Sequence, residues 1–295
     1  MVRVLVLGGA GQVGLALGRA ERPAEWTLAL PTRSEVDLAS GEGLEAAVAD
    51  ADLVINPAAY TAVDKAESEP DLAFAVNRDG PARLAKLCAV KGIPLLHVST
   101  DYVFDGTKAA AYRETDPTAP LGVYGRSKCE GEQAVAAALS QHVILRTAWV
   151  YGPDRGNFVK TMLRVGAERD RLTVVDDQHG CPTAAADIAD ALIAIGKAVL
   201  AGKGTFGVYH FVGAGETTWY GFAQEIFAQA GARGAKVPEV VPISTAGYPT
   251  PAKRPANSVL DCGAIARDYG LAAPNWKKSL AKTLDVLLTN QASRS

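Results

Sequence analysis

A glycine-rich turn near the start of the chain constrains its fold more than any other feature. Gly8, Gly11 and Gly14 are spaced as G-x-x-G-x-x-G between the apolar residues 2–7 and a segment that begins a helix. Gly8 permits a tight turn, Gly11 lets the backbone approach a pyrophosphate, and Gly14 lets the helix pack closely on the strand. The free N–H groups of the helix N-terminus favour an anion. This spacing predicts a dinucleotide-binding site formed by a strand, a turn and a helix.

Short apolar runs alternate with helical patterns through the first half of the chain. The runs cover residues 2–7, 26–30, 53–56, 94–99 and 142–146. Runs of this length and composition are typical of buried parallel strands. Their alternation with helices predicts an α/β fold, a Rossmann-type doubly wound parallel sheet with right-handed crossovers.

The pattern changes after Trp149 and indicates a smaller α/β substrate-binding lobe. Helical patterns at about 157–168, 185–200, 219–230 and 276–288 are separated by apolar runs at 172–175 and 207–211 and by a Pro-rich stretch at 238–255. The predicted dinucleotide-binding domain covers residues 1–150 and roughly 172–205. The predicted lobe covers residues 151–171 and 206–295.

The end of the second apolar run bears on the choice of cofactor. Dinucleotide-binding folds that take NAD commonly have an acid there, which holds the ribose hydroxyls. Here the residue is Arg33, which is suited to pair with a 2′-phosphate, although Glu35 and Asp37 follow closely. Asp37 and Leu38 are placed to flank the adenine. We therefore expect NADPH as the preferred cofactor and NADH as a tolerated one, with a solvated surface charge as the alternative role for Arg33.

Three side chains form a candidate catalytic group. Thr100 lies at the carboxyl end of the fourth apolar run, where ligands of open α/β sheets bind. Tyr124 and Lys128 are four residues apart on a predicted helix and share one face. We expect the ammonium to lower the pKa of the phenol, so that Tyr124 can exchange a proton with a substrate oxygen. Thr100 would donate a hydrogen bond to the same oxygen, which predicts carbonyl reduction by a nicotinamide cofactor.

Eight motifs spread over nearly the whole chain carry a resemblance to a known family. They are GGAGQVG at 8–14, NPAAYTAVDKAE at 56–67, STDYVFDG at 99–106, YGRSKCEGE at 124–132, LRTAWVYG at 145–152, NFVKTML at 157–163, DQHGCPT at 177–183 and RPANSVLD at 254–261. With these motifs the chain resembles the extended short-chain dehydrogenase/reductases. The finer motifs are similar to those of members that act on nucleotide sugars. The resemblance implies reduction of the C4 ketone of dTDP-4-dehydro-L-rhamnose to dTDP-L-rhamnose.

The resemblance also implies a set of site residues. The implied catalytic residues are Thr100, Tyr124 and Lys128. The implied cofactor-binding residues, together with those derived above, are Gly8, Gly11, Gln12, Val13, Arg33, Asp37, Leu38, Ala59, Tyr60, Thr61, Tyr124 and Lys128. The implied substrate-binding residues are Thr100, Asp101, Trp149, Asn157 and Arg254. Trp149 offers a flat wall for a sugar face, with core packing as the alternative, and Arg254 offers a fork for a diphosphate.

Two other functions stay open. A related nucleotide-sugar epimerase or dehydratase would share the fold, but dehydratases need further carboxylates, and Thr100 is followed by the single acid Asp101. A non-catalytic regulatory subunit that binds NADP, like that of methionine adenosyltransferase, is the second alternative. The intact Thr100, Tyr124 and Lys128 favour the reductase over both, although a fold alone does not establish a function.

Composition and charge exclude several classes of partner. Lys plus Arg number 30 and Asp plus Glu 32, so a broad nucleic-acid-binding surface is not expected. No apolar run reaches the roughly 18 residues of a membrane span, and we expect a cytoplasmic protein that acts as a monomer or a homodimer. The four cysteines form no C-x-x-C pair that would suggest a zinc site.

A structural Mg²⁺ is not expected either. Some members of the resembled family hold Mg²⁺ at a dimer interface through a glutamate in the first helix and acids after a Pro-Thr pair. Here the first position corresponds to Ala16, and residues 184–187 after the Pro-Thr pair read Ala-Ala-Ala-Asp. This set has too few carboxylates for a divalent cation.

Overall fold

The computed structural model describes residues 1–292. The strands before residue 150 are β1 (Val2–Val6), β2 (Trp26–Ala29), β3 (Leu53–Asn56), β4 (Leu95–Thr100) and β5 (His142–Thr147). The helices of this part are α1 (Gln12–Arg19), α2 (Leu44–Ala49), α3 (Val63–Ala66), α4 (Pro70–Phe74), α5 (Gly80–Lys91) and α6 (Val123–Ala138). A π-helix spans Ala75–Asp79, and a 3₁₀-helix spans Asp101–Val103.

The rest of the described chain mixes short strands with longer helices. The strands are β6 (Val150–Tyr151), β7 (Arg171–Val175), β8 (His179–Gly180), β9 (Thr183–Ala184), β10 (Gly207–His210), β11 (Thr217–Thr218) and β12 (Glu239–Ile243). The helices are α7 (Phe158–Glu168), α8 (Ala185–Leu200), α9 (Trp219–Gly231), α10 (Gly263–Tyr269) and α11 (Trp276–Ala292), with a 3₁₀-helix at Thr245–Gly247. Among the helices of residues 1–292, none combines the length and apolarity needed to cross a bilayer.

Six strands of the described chain form one parallel sheet in the order β10-β5-β4-β3-β1-β2. The order reverses at β1, because β2 lies on one side of it and β3 on the other. Ligands of open α/β sheets bind at such a switch point, outside the carboxyl ends of the strands. The predicted Rossmann-type fold is confirmed, and the glycine turn after β1 lies at the switch point.

Helices cover both faces of the sheet, which explains the continuous apolar runs in the sequence. All four residues of β3 are buried, as expected for a parallel strand covered on both sides. On one face, Val6 packs in a cluster with Leu17 of α1 and Ile188 of α8. On the other face, Leu95 packs in a cluster with Leu84 of α5. The two layers fix the strand ends, and these strand ends carry the site described below.

A lobe of short strands and helices lies against the loops at the carboxyl ends of the sheet. Its core contains Tyr151, Phe222 of α9 and Trp276 of α11, and β7 pairs in parallel with β12. The sequence placed residues 172–205 in the first domain and 206–295 in the lobe. The strand pairings do not follow those boundaries. Most of β7 was assigned to the first domain but pairs with β12 in the lobe, and β10 was assigned to the lobe but pairs with β5 in the main sheet. The division into two domains stays a prediction.

Candidate cofactor and active site

A cavity of about 660 Å³ lies along the carboxyl ends of the sheet strands. Its wall includes the glycine turn after β1, the segments after β2 and β3, the start of α6 and the loop after β5. The predicted site residues that line it are Gly8, Gly11, Gln12, Val13, Arg33, Asp37, Leu38, Ala59, Tyr60, Thr61, Thr100, Asp101, Tyr124, Lys128, Trp149 and Asn157. The structure therefore brings these residues to one cavity, whereas Arg254 does not line it.

The glycine turn has the backbone geometry that its spacing predicts. Gly8 has a φ of +74°, in the left-handed region that favours glycine. A Cβ atom on Gly14 would lie 2.3 Å from the carbonyl oxygen of Gly8, so a side chain there would push α1 away from the turn. α1 begins at Gln12, and no side chain of the described residues caps its free N–H groups. These groups are therefore available to an anion in the cavity.

The segment after β2 combines a hydrogen-bonded carboxylate with an exposed cation. One carboxylate oxygen of Asp37 accepts a hydrogen bond from the N–H of Ala39 at 2.8 Å. The Arg33 side chain is 72% exposed, and its Nε lies 3.6 Å from the other oxygen of Asp37. Leu38, the next residue in the chain, is buried. Arg33 is thus held only loosely, and its guanidinium is accessible to a phosphate.

Asn77 supports the cavity wall, and the sequence patterns did not indicate it. It is fully buried in the π-helix between α4 and α5. Its side-chain oxygen accepts the N–H of Tyr60 at 2.8 Å, and its amide donates to the carbonyl of Tyr60 at 3.1 Å and to the hydroxyl of Ser127 at 3.0 Å. Asn77 therefore ties the segment after β3 to α6. The one sequence signal for this role is an asparagine within a helical stretch. That signal does not identify the role, because an asparagine on an exposed helix face gives the same pattern.

Thr100, Tyr124 and Lys128 lie together at the end of β4. The Thr100 hydroxyl accepts the N–H of Tyr102 at 3.3 Å and donates to a carboxylate oxygen of Asp101 at 2.9 Å. Tyr124 and Lys128 are one turn apart on α6, and both are buried. Burial raises the pKa of Tyr124 to about 12, and a hydrogen bond with Thr100 acts in the opposite direction. The two hydroxyl groups are therefore neighbours that can face one substrate oxygen.

Lys128 is directed against β4. Its Nζ donates to the carbonyl of Val98 at 2.7 Å and lies 3.4 Å from Nε2 of His97. Burial lowers the pKa of Lys128 to about 8, because an ammonium is poorly solvated there. The expectation that Lys128 lowers the pKa of Tyr124 is wrong for this structure. Burial is the main influence on the pKa of the Tyr124 phenol and raises it. The Lys128 ammonium donates to the backbone carbonyl of Val98 instead of contacting the phenol.

Two further hydroxyl groups in the cavity wall have no hydrogen-bond partner within residues 1–292. They are Ser99 Oγ on β4 and Thr147 Oγ1 at the end of β5, and both are buried. Buried polar groups are nearly always paired, so these two indicate where a ligand would supply hydrogen bonds. Neither residue was predicted for the site. The available signal is a hydroxyl residue at the carboxyl end of a buried strand.

Trp149 forms a rigid part of the wall on the lobe side. Its backbone is left-handed, with a φ of +49°. Its ring stacks on Trp219 of α9 with the centroids 3.6 Å apart, and a Cβ on Gly180 would lie 2.4 Å from that ring. The ring is therefore fixed between α9 and β8. The sequence gives no signal for Trp219, because its partner lies far away in the chain.

The other predicted substrate residues are bound to protein groups. Arg254 donates two hydrogen bonds, of 2.8 and 3.1 Å, to the carboxylate of Asp64 on α3. These hydrogen bonds are the main reason that the pKa of Asp64 lies below its usual value. Asn157 caps α7 and donates to the side-chain oxygen of Gln12 at 2.9 Å. Both contacts join the lobe to the sheet. Asp64 was not predicted, since it lies 190 residues from Arg254.

No group of three His, Cys, Asp or Glu side chains within residues 1–292 is arranged to hold a metal ion. Ala16 is buried in the core, and Asp187 accepts a hydrogen bond from the Ser279 hydroxyl at 2.6 Å. Whether the protein binds Mg²⁺ stays a prediction, and we expect that it does not.

The parallel sheet, the glycine turn at its switch point and the Thr-Tyr-Lys group at the end of β4 define the class of extended short-chain dehydrogenase/reductases. The model of the RmlD substrate binding domain family matches residues 2–289. The dTDP-4-dehydrorhamnose reductase of Sinorhizobium fredii (strain NBRC 101917 / NGR234) is 47% identical over 291 residues, 97% of this chain and 98% of that protein. The chain therefore belongs to the dTDP-4-dehydrorhamnose reductase family.

Solved structures agree with this assignment. The crystal structure of a dTDP-4-dehydrorhamnose reductase from Clostridium acetobutylicum ATCC 824 is 35% identical with a TM-score of 0.91, covering 97% of this chain and 99% of that one. The dTDP-4-dehydrorhamnose reductase of Bacillus anthracis str. Ames, in complex with NADP, is 34% identical with a TM-score of 0.90 and the same coverage.

Proposed function

We propose that this protein reduces the C4 ketone of dTDP-4-dehydro-L-rhamnose to dTDP-L-rhamnose, with NADPH preferred and NADH tolerated. The observation that carries the proposal is that Thr100, Tyr124 and Lys128 line the same cavity as the glycine turn. Relatives named for this reaction match the chain over nearly its whole length, which supports the same substrate.

The residues present fit a nicotinamide dinucleotide. The uncapped N–H groups at the start of α1 suit its pyrophosphate. The unpartnered hydroxyls of Ser99 and Thr147 lie near Thr100 at the ends of β4 and β5, and they suit polar groups of the bound ligands. When bound, the nicotinamide supplies the hydride that is added to C4 of the ketone.

Tyr124 is the proposed proton donor to the carbonyl oxygen. Because burial raises the pKa of Tyr124 to about 12, the phenol is protonated at neutral pH and has a proton to give. The Thr100 hydroxyl lies beside it and would donate a hydrogen bond to the same oxygen, in exchange for its present bond to the carboxylate of Asp101. This bond orients the ketone and stabilises the negative charge that develops on the oxygen.

Lys128 is proposed to stabilise the charge left on Tyr124. Its pKa of about 8 means that the ammonium is mostly present near neutral pH. In this structure the ammonium donates to the carbonyl of Val98 and does not lower the pKa of Tyr124. The proposed role therefore requires Lys128 to leave that carbonyl and approach the phenolate, whose charged form a nearby cation favours. The same ammonium is the candidate donor to the nicotinamide ribose, in exchange for its present bond to the carbonyl of Val98.

The lobe is proposed to hold the nucleotide sugar. The fixed ring of Trp149 offers a flat surface to the sugar, beside Asp101 and Asn157 in the cavity wall. Arg254 is the proposed partner of the diphosphate, for which it would exchange the carboxylate of Asp64. The substrate therefore competes with a protein carboxylate for the same guanidinium.

The test is to incubate the protein with dTDP-4-dehydro-6-deoxyglucose, the matching 3,5-epimerase and NADPH, and to identify the product by NMR. We expect dTDP-L-rhamnose and one NADPH oxidised for each sugar formed. A sample without the 3,5-epimerase controls for direct reduction of the unepimerised sugar. A 6-deoxy-talose product, or no oxidation of NADPH, would contradict the proposal. Tightly bound NAD⁺ in the purified protein would favour the epimerase alternative.

A further inference from the structure

Arg155 is a cation in the cavity wall that the proposed chemistry does not use. It lies in the loop between β6 and α7, and its side chain is exposed. Its Nε donates to the carbonyl of Ala10, inside the glycine turn, at 2.6 Å. The guanidinium therefore lies directly over the turn, on its lobe side.

Three cations of the described residues line the cavity, and they occupy different places. Arg33 follows β2 and is 3.6 Å from Asp37, whereas Lys128 is buried on α6 and bound to the carbonyl of Val98. Arg155 is the one at the glycine turn, and within residues 1–292 no carboxylate forms an ion pair with it. A pyrophosphate carries two negative charges at neutral pH, and the turn itself offers only backbone N–H groups. Arg155 is placed to supply the missing counter-charge.

Its loop is held in position on both sides. Asp154 forms an ion pair with Arg19 of α1, and Asn157 donates to Gln12 of the same helix. Arg155 itself has a left-handed backbone, with a φ of +57°, which is uncommon for a residue other than glycine. Strained backbone of this kind persists where the surroundings enforce it and is concentrated at functional sites. The loop therefore directs the guanidinium toward the turn.

We propose that Arg155 binds the pyrophosphate of the dinucleotide and couples it to the lobe. Nε keeps its bond to Ala10, while the terminal nitrogens of the guanidinium donate to phosphate oxygens. The same loop leads through Asn157 into α7, so a bound cofactor holds the lobe against the sheet. The proposal rests on the proposed function only in that the ligand is a nicotinamide dinucleotide.

The test compares ligands that do and do not contain a pyrophosphate. Dissociation constants of NADPH and NADH are measured by fluorescence titration, and that of adenosine 2′-monophosphate by competition with NADPH. Arg155→Asn removes the charge but keeps a side chain that tolerates left-handed backbone. We expect both dinucleotides to bind about 10-fold more weakly, as for the loss of a charged hydrogen bond, and the binding of adenosine 2′-monophosphate to be unchanged. Arg155→Lys should recover part of the affinity.

Arg19→Ala is the matched control, because it removes a nearby cation that ties the same loop to α1 but does not line the cavity. Because the bond from Asn157 to Gln12 still ties the loop to α1, we expect Arg19→Ala to change NADPH binding less than twofold. Equal weakening by Arg19→Ala and Arg155→Asn would overturn the proposal and assign Arg155 a role in loop position. The proposal would also be overturned if Arg155→Asn weakened the binding of all three ligands equally or left dinucleotide binding unchanged. It would be overturned as well if the wild type bound neither dinucleotide. A wild type that binds NADPH without reducing the keto-sugar would overturn the proposed function alone.

Discussion

The sheet side and the lobe side of the cavity differ in how far their polar groups are already partnered. On the sheet side, the N–H groups of α1 are uncapped, and the hydroxyls of Ser99 and Thr147 have no partner within the described residues. On the lobe side, the Arg254 guanidinium is bound to Asp64. These sheet-side groups are therefore ready for a ligand, whereas Arg254 on the lobe side must exchange a protein contact for a ligand contact.

The difference follows from the elements that carry the groups. Strand pairing and two layers of helices fix the ends of β4 and β5, so their side chains keep their positions without a ligand. Arg254 lies in a loop and is held through a single carboxylate on α3. We therefore expect the cofactor to bind with little rearrangement and the sugar nucleotide to bind with a change of partners.

The largest effect is expected from Tyr124→Phe, which tests the chemistry of the sheet side. Loss of the proton donor should lower kcat about 1000-fold, within the range for general acid catalysis, while NADPH binding stays within about twofold. Steady-state oxidation of NADPH and a fluorescence titration measure the two quantities. Tyr220→Phe is the control, because Tyr220 does not line the cavity and its hydroxyl accepts a surface hydrogen bond from Gln224. Full turnover by Tyr124→Phe would remove the basis of the proposed mechanism.

The second effect concerns the stability cost of burying Lys128. Its pKa falls from 10.5 to about 8 on folding, so the unfolded chain binds more protons between these values. The free energy of unfolding should therefore rise with pH from about 8 to 10.5, by up to about 3 kcal/mol for this group. The free energy of unfolding is measured with a denaturant at several pH values. It should not show this rise in Lys128→Met, whereas Lys203→Met, which changes an exposed lysine, should show it as the wild type does. Parallel pH profiles for wild type and Lys128→Met would show that the ammonium is not buried at a cost.

The third effect tests whether the loosely held cation after β2 selects the cofactor. Arg33→Ala should lower kcat/KM for NADPH about 10-fold by removing a charged contact to the 2′-phosphate, and should leave NADH little changed. Initial rates with the two cofactors at a fixed sugar concentration give the ratio. Similar losses with both cofactors, or comparable kcat/KM for both in the wild type, would assign Arg33 to the solvated surface.

The smallest effect is expected on the lobe side, from Asp64→Asn. Without the carboxylate, Arg254 is free for the diphosphate, so KM for the sugar nucleotide should fall about threefold, the scale of a partly exposed ion pair. NADPH binding should not change. Asp116→Asn breaks the ion pair with Lys108 outside the cavity and serves as the control. A rise in KM would show instead that Asp64 positions Arg254 for the substrate.

The fold was predictable where strands are local and buried on both faces. Such strands appear as continuous apolar runs, and residues 53–56 are an example that became β3 without a shift. The partner of β7 was not predictable, because β7 pairs with β12 far along the chain. An apolar run of five residues fits the main sheet as well as a smaller one, and only long-range packing decides between them.

The site was predictable to the same extent. The glycine turn and the Tyr124–Lys128 pair are local patterns with a direct physical reason, and the structure places them in one cavity. The contacts that join sheet and lobe are not local. Asp64 and Arg254 are 190 residues apart, and Arg155 reaches Ala10 across 145 residues, so no spacing rule relates them. The direction of the Tyr124 pKa also depended on burial, which the local pattern does not contain.

The position of β10 in the main sheet has a consequence for the newly made chain. This strand comes from residues 207–210, long after the other five strands have been synthesised. Until it emerges from the ribosome, β5 is an edge strand with unpaired N–H and C=O groups, a surface that recruits other strands. Nascent chains or fragments that stop near residue 200 should therefore aggregate or bind chaperones. The edge of β5 is covered only after residues 207–210 have been synthesised and have paired with it.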